Sequence, residues 1–145
     1  MKKITSIILV ALLALALASC GQKEHVNTAD APEEILNAVS NAYELSKELT
    51  ELQLKAGADM KLDEQEIKEI GEAFRHLAIV NNKNAKDFAS NKYFIALRTE
   101  YKGAYEKLAD TVVFLKDCEG YDQLGLAIFE ISRGVHDVTE LPVAE

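Results

Sequence analysis

The chain has 145 residues, of which 48% are apolar and 28% charged, and it carries a net charge of −8. This apolar fraction supplies a core and excludes a disordered chain, while the length fits one domain of ordinary size. The acidic balance, without a cluster of lysine and arginine, argues against nucleic-acid binding.

The N-terminal segment has the pattern of a secretion leader. Lys2 and Lys3 give it a positive start, residues 7–18 contain no polar side chain, and small residues follow. As a helix the apolar run would be about 18 Å long, against about 30 Å for the hydrocarbon core of a bilayer. The alternative, an uncleaved membrane helix, would need a longer run, so we expect the leader to be removed.

The end of the leader reads Leu17-Ala18-Ser19-Cys20, which resembles the lipobox of bacterial lipoproteins. The resemblance implies that the Cys20 thiol receives a diacylglycerol, that residues 1–19 are cleaved off, and that the new amine is usually acylated. Two or three acyl chains hold a protein stably at a bilayer, at about 0.8 kcal/mol per buried methylene. We therefore expect Cys20 to be the lipidated first residue of the mature protein.

Removal of the leader makes the protein more acidic. It takes away Lys2 and Lys3 and no acid, which leaves 14 basic and 24 acidic residues and a net charge of −10. Anionic phospholipid repels such a surface, so the lipid alone must provide attachment. The polar residues 20–31 are predicted to form the lipidated N-terminus and a flexible tether with a reach of about 20 Å. Residues 32–140 are predicted to form the helical domain, and residues 141–145 a tail.

The residues after Cys20 bear on location. Gly21 replaces the aspartate that signals inner-membrane retention in enterobacterial lipoproteins, so that resemblance implies an outer-membrane protein facing the periplasm. Residues 22–24, Gln-Lys-Glu, are similar to surface-export signals of some Bacteroidota lipoproteins, which implies the cell surface instead.

The spacing of apolar residues predicts two helices in the first half of the domain. The first starts with Asp30 as its cap near Pro32 and ends at Gly57; the second starts with a capping box formed by Asp63 and Glu66 and ends before residues 81–84. The two apolar stripes comprise Ile35, Ala38, Ala42, Leu45, Leu49, Leu52 and Ala56, and then Ile67, Ile70, Phe74 and Leu77.

Two further long helices are predicted in the second half. A continuous helix over residues 94–118 is followed by a stop at Glu119-Gly120 and a helix capped by Asp122. Residues 85–90 are expected to form a separate short helix capped by Asn84, because a single helix through residue 118 would be about 50 Å long. The stripes comprise Phe94, Leu97, Tyr101, Ala104, Leu108, Thr111, Leu115 and Cys118, and then Leu124, Ile128, Ile131, Val135 and Val138.

Four amphipathic stripes predict an all-α fold, an antiparallel up-down four-helix bundle. A helical-repeat array is the weaker alternative, because no repeat of about 33 to 45 residues is visible.

The titratable residues do not form a catalytic, metal or cofactor pattern. His76 and His136 lie off the apolar stripes, and the pair Glu72 and His76 lacks the second pair that a di-metal bundle needs. The haem-attachment motif Cys-x-x-Cys-His is absent, and Met60 falls in the first interhelical loop, at the far end of an up-down bundle from His136. Cys118 lies on an apolar stripe, where packing is the usual role. We predict no enzyme activity, no metal and no cofactor.

The tyrosines and glycines give two weaker indications of a surface that binds another molecule. Tyr43 and Tyr93 fall beside or outside their stripes, which fits either a recognition surface or rings laid over a helix seam. Three glycines interrupt predicted helices and would allow close helix approach or leave room for a partner: Gly103, Gly125 and Gly134.

These observations favour a non-catalytic envelope lipoprotein that binds another protein, as an adaptor, inhibitor or immunity factor. The alternative is a carrier of a small ligand or haem in the bundle interior, and an enzyme of unrecognised type ranks third.

Overall fold

A computed structural model describes the backbone of residues 26–139 and the side chains of residues 26–133. The predicted leader, Cys20 and the predicted tail lie outside the described residues. The described part contains five α-helices and no β-strand, which confirms the all-α class. The helices are α1 (Glu33–Ala56), α2 (Glu64–Phe88), α3 (Lys92–Glu100), α4 (Lys102–Leu115) and α5 (Tyr121–Thr139). Of these helices, none combines the length and apolar character that crossing a bilayer requires.

Helix α1 has the predicted extent but a different start. Gly57 ends it, and its N–H donates to the carbonyls of Gln53 and Lys55. The prediction that Asp30 caps this helix is wrong. Residues 28–30 form a short 3-10 helix, in which the carboxylate of Asp30 accepts a hydrogen bond from the side chain of Asn27. Pro32 occupies the N-cap position, without a side-chain hydrogen bond.

Helix α2 starts as predicted and runs further. The backbone N–H of Glu66 donates to Asp63 at 2.8 Å, and that of Asp63 donates to Glu66 at 3.0 Å, which completes the capping box. The predicted break at residues 81–84 and the separate helix over residues 85–90 are wrong. Asparagine disfavours a helix by less than about 0.7 kcal/mol, and tertiary hydrogen bonds of the buried Asn81 and Asn84 outweigh that preference.

The predicted continuous helix over residues 94–118 is wrong as well. It is divided at Tyr101, whose φ of −92° and ψ of 8° leave the α-helical range. The hydroxyl of Thr99 donates to the carbonyl of Ile95 at 2.9 Å, a bond that bends helices. Helix α4 ends before Cys118, which lies in the following turn.

Helix α5 confirms the fourth predicted helix. Because it begins at Tyr121, Asp122 lies in its first turn and is not the cap predicted from the sequence.

Helix α1 lies at the centre of the packing. It packs against α2 and α4, while α2 also packs against α5, and α3 covers the start of α1. Tyr43, at the middle of α1, stacks on Tyr101, and Gly57 at the end of α1 lies against Leu115, so α1 and α4 run in the same direction. The main core comprises Leu49, Ala56, Leu62, Ile67, Ile70, Phe74, Leu77, Leu108, Val112, Leu115, Cys118, Leu124 and Ile128. A second, smaller cluster comprises Ile35, Val39, Phe94 and Leu97.

The α1–α2 and α4–α5 loops pair with each other at one end of the domain. The N–H of Leu62 donates to the carbonyl of Glu119 at 2.9 Å, and the N–H of Glu119 donates to the carbonyl of Met60 at 2.9 Å. Gly120 follows at a φ of +89°, and a Cβ there would lie 2.7 Å from the carbonyl oxygen of Leu62. The paired loops place the starts of α2 and α5 together, so these two helices run side by side from the same end.

Candidate functional site

The described residues around Glu72 and His76 do not form a metal site. His76 and Glu72 are both exposed, and the side chain of His136 lies outside the described residues. Within residues 26–133, no three His, Cys, Asp or Glu side chains are close enough to hold a metal ion. The lipidation site predicted at Cys20 also lies outside the described residues.

Cys118 is a buried packing residue. Its Sγ lies 3.9 Å from the carbonyl oxygen of Gly57, to which the thiol donates. Burial raises the pKa of the thiol, and the carboxylates of Asp117 and Asp59 raise it further. The thiol is therefore held protonated and shielded, which disfavours a role as a nucleophile.

The described tyrosines lie over helix seams and do not form one exposed surface. Tyr43 on α1 and Tyr101, between α3 and α4, stack with their ring centroids 4.5 Å apart, and Tyr93 is half-buried. Tyr105, which the sequence did not place in the core, is buried, and its hydroxyl donates to Asn81 at 3.3 Å. The hydrogen bond to Asn81 allows the hydroxyl of Tyr105 to be buried, because a buried hydroxyl needs a polar partner.

Of the three glycines that interrupt predicted helices, Gly103 does not contribute to helix packing, whereas Gly57 and Gly71, which are not among those three, do. A Cβ on Gly103 would meet no atom within 4 Å, so that glycine brings no helix closer. A Cβ on Gly57 would lie 2.6 Å from Cε1 of Phe114, and one on Gly71 would lie 3.2 Å from Cδ1 of Ile131. Gly71 therefore lets α5 approach α2 closely.

A groove open to solvent runs between α2 and α5, with a volume of about 1110 Å³. Its apolar lining is formed by Ile67, Gly71, Ile79, Ala127 and Ile131. Ile79 is 43% exposed, a large fraction for an isoleucine in a folded domain. Charged side chains flank the lining: Glu64, Lys68, Glu72 and Arg75 on α2, and Glu130 on α5.

The charges on the α2 side of the groove form one row. Glu64, Lys68, Glu72 and Arg75 are spaced by four, four and three residues, so they share one face of the helix, and their signs alternate. All four side chains are exposed. In the described part of the chain, the ion pairs are Glu44 with Lys47, Lys61 with Glu119, and Lys102 with Glu106. The charges of the row are therefore available to another molecule.

The sequence shows this row but not the groove beside it. Spacing to His76 makes Glu72 a candidate metal ligand, whereas the charged residues before and after Glu72 on α2 place it in the row. The groove depends on which helix packs against α2, and the apolar spacing of α2 does not specify that neighbour. Comparisons of the chain with protein-family models, with curated proteins and with solved structures find no match.

Proposed function

We propose that this protein is a lipoprotein of the bacterial envelope, anchored through acylated Cys20, whose helical domain binds another polypeptide without catalysis. The groove between α2 and α5 is the observation that carries the binding role. An adaptor, inhibitor or immunity protein would use such a surface. The outer membrane, with the domain facing the periplasm, is the favoured location, and the cell surface is the alternative.

The same proposal includes a four-helix bundle in which successive long helices run in opposite directions, with α3 as an additional short helix. The core shared by α1, α2, α4 and α5 supports the bundle. The contact between the end of α2 and the start of α1, through Asn84 and Ala38, supports an antiparallel connection between these two helices. The common direction of α1 and α4 supports the alternation further along the chain.

The N-terminal end of the described chain suits a short tether. Thr28 donates from its hydroxyl to Glu100 at 2.8 Å, which fixes the chain against α3 only eight residues after Cys20. Eight extended residues span at most about 29 Å, so an acylated Cys20 would keep the domain near the bilayer.

Replacement of the anchoring cysteine tests the attachment. In the Cys20→Ser variant we expect loss of acyl labelling, failure of leader cleavage and a changed membrane fractionation, whereas Cys118→Ser should behave as the wild type. Unchanged processing and acylation in Cys20→Ser would overturn the anchoring proposal.

The groove suits a polypeptide helix better than a small molecule. Small-molecule sites are clefts or cavities that bury most of the surface of their ligand, whereas this groove is open along its side. A groove with an apolar lining and charged flanks is typical of surfaces that receive an amphipathic helix. Burial of Ile79 by such a helix would remove exposed apolar surface, at about 25 cal/mol per Å².

A photo-crosslinking amino acid placed in the groove tests the binding role in intact cells. Position 79 lies in the groove, and Val113, which is 47% exposed on α4, provides the matched control. We expect a crosslinked protein adduct from position 79 and none from position 113. The absence of an adduct from position 79 would overturn the groove as a protein-binding surface.

A further inference from the structure

The charged row on α2 is complementary to itself. Read along the helix, Glu64, Lys68, Glu72 and Arg75 give the signs minus, plus, minus, plus. Read in the opposite direction, the signs are plus, minus, plus, minus. Two copies of the row placed side by side in opposite directions would therefore meet with opposite charges at every position.

We propose that the polypeptide bound at the groove is a second copy of this chain, in a two-fold symmetric dimer formed through α2. The inference rests on the proposed function only in taking the groove as a protein-binding surface. The pairing of residue 68 with 72 and of residue 64 with 75 puts the symmetry axis at the level of residues 69 and 70, just before Gly71. Lys68 then faces Glu72 of the second copy, and Glu64 faces Arg75 of the second copy, and the symmetry makes each contact twice.

The apolar part of the groove fits the same axis. Near the axis the groove is lined by Ile67, Gly71 and Ile131. Ile67 and Gly71 are buried within each copy, so the half-buried Ile131 supplies the apolar surface beside the charged rows. The row from Glu64 to Arg75 spans about 16 Å along the helix, so the contact covers about three helical turns.

The overall charge of the protein opposes association. Two acidic copies repel each other at long range, so a dimer needs local complementarity and apolar burial at the contact. Glu130, the charged residue on α5, lies outside the α2 row and remains at the edge of such a contact. The local complementarity also makes the dimer selective, because a partner without alternating charges leaves the row unpaired.

Charge reversal with complementation tests this arrangement. The full chain is purified in detergent, and its dissociation constant is measured by sedimentation equilibrium in a density-matched solution. Lys68→Glu and Glu72→Lys each convert two attractive contacts into repulsive ones, and we expect each to raise the dissociation constant about tenfold. When the two variants are mixed in equal amounts, every contact again joins opposite charges, so the mixture should form a heterodimer with about the wild-type affinity.

Control variants separate the contact from net charge and from folding. Lys107→Glu on α4 and Glu48→Lys on α1 change exposed residues outside the groove by the same charge, and each should leave the dissociation constant within about twofold. Melting curves followed by circular dichroism show whether each variant is folded. Recovery in the mixture cannot arise from two misfolded proteins.

The outcomes also separate this inference from the proposed function. A monomeric wild type, or a mixture no tighter than the single variants, would overturn the dimer. If position 79 still gives a crosslinked adduct of another mass, the protein-binding groove stands without the dimer. An adduct with twice the mass of the chain, together with recovery in the mixture, supports both.

Discussion

The side chain of Asn84 joins the end of α2 to the start of α1. Its Nδ2 donates to the carbonyl oxygen of Ala38 at 2.9 Å, across 46 residues of sequence. Asn84 is buried, so water does not replace this bond when it is lost. The contact fixes the position of α2 along α1.

Removal of this amide should weaken the fold. We expect Asn84→Ala to lower the free energy of unfolding by about 1–3 kcal/mol, because it deletes a buried hydrogen bond and leaves space in the helix contact. Urea denaturation measures the change. Asn82→Ala, at an exposed position two residues earlier, should change the free energy by less than about 0.5 kcal/mol. Equal effects of the two substitutions would show that the bond to Ala38 contributes nothing.

Two glycines should respond to alanine with opposite signs. Gly120 has a φ of +89°, and a Cβ there would lie 2.7 Å from the carbonyl of Leu62, so Gly120→Ala should destabilise the protein by more than about 1 kcal/mol. Gly103 lies inside α4 with open space around it, so Gly103→Ala should stabilise by up to about 1 kcal/mol.

Thermal and urea unfolding of both glycine variants check the pair. If Gly120→Ala left the free energy of unfolding unchanged, the paired loops near Leu62 would have to accommodate the added Cβ without loss of stability. A destabilising Gly103→Ala would mean that α4 lies closer to a neighbouring element than the open space around Gly103 indicates.

The buried phenol of Tyr105 should make stability depend on alkaline pH. Burial raises its pKa above the ordinary value of about 10, while the nearby Arg98 and the hydrogen bond to Asn81 lower it by less. The folded state therefore binds the phenolic proton more tightly than the unfolded state does. The stabilisation is complete below the unfolded pKa and is lost as the pH rises through the folded pKa.

Comparison with Tyr105→Phe isolates this effect. The wild type should lose unfolding free energy above about pH 10 more steeply than Tyr105→Phe, which has no proton to lose. Tyr121 and Cys118, whose pKa values burial also raises, remain in both proteins and contribute equally. Parallel profiles of the two proteins would contradict the assignment of Tyr105.

Local signals predicted the helix boundaries that local chemistry determines. The capping box of Asp63 and Glu66 and the stop at Gly57 depend on residues close in sequence, and both predictions are confirmed. The continuation of α2 through Asn81 is supported by the hydrogen bond from Tyr105. The division at Tyr101 separates α3, which covers the start of α1, from α4, which packs along its second half. The spacing of apolar residues does not reveal such long-range partners, and for the same reason it does not predict the groove.

Replacement of Gln53 by an apolar residue should stabilise the folded protein. The side chain is only 1% exposed, and within the described part of the chain its Oε1 has no hydrogen-bond donor. A buried polar atom without a partner costs about 1–3 kcal/mol, and methionine fills a similar volume without that atom. We therefore expect Gln53→Met to raise the free energy of unfolding by about 1 kcal/mol, measured by urea denaturation. Gln53→Glu keeps the shape but adds a buried charge, so it should destabilise the protein. If methionine also destabilised it, the amide of Gln53 would have to be stabilising the folded protein.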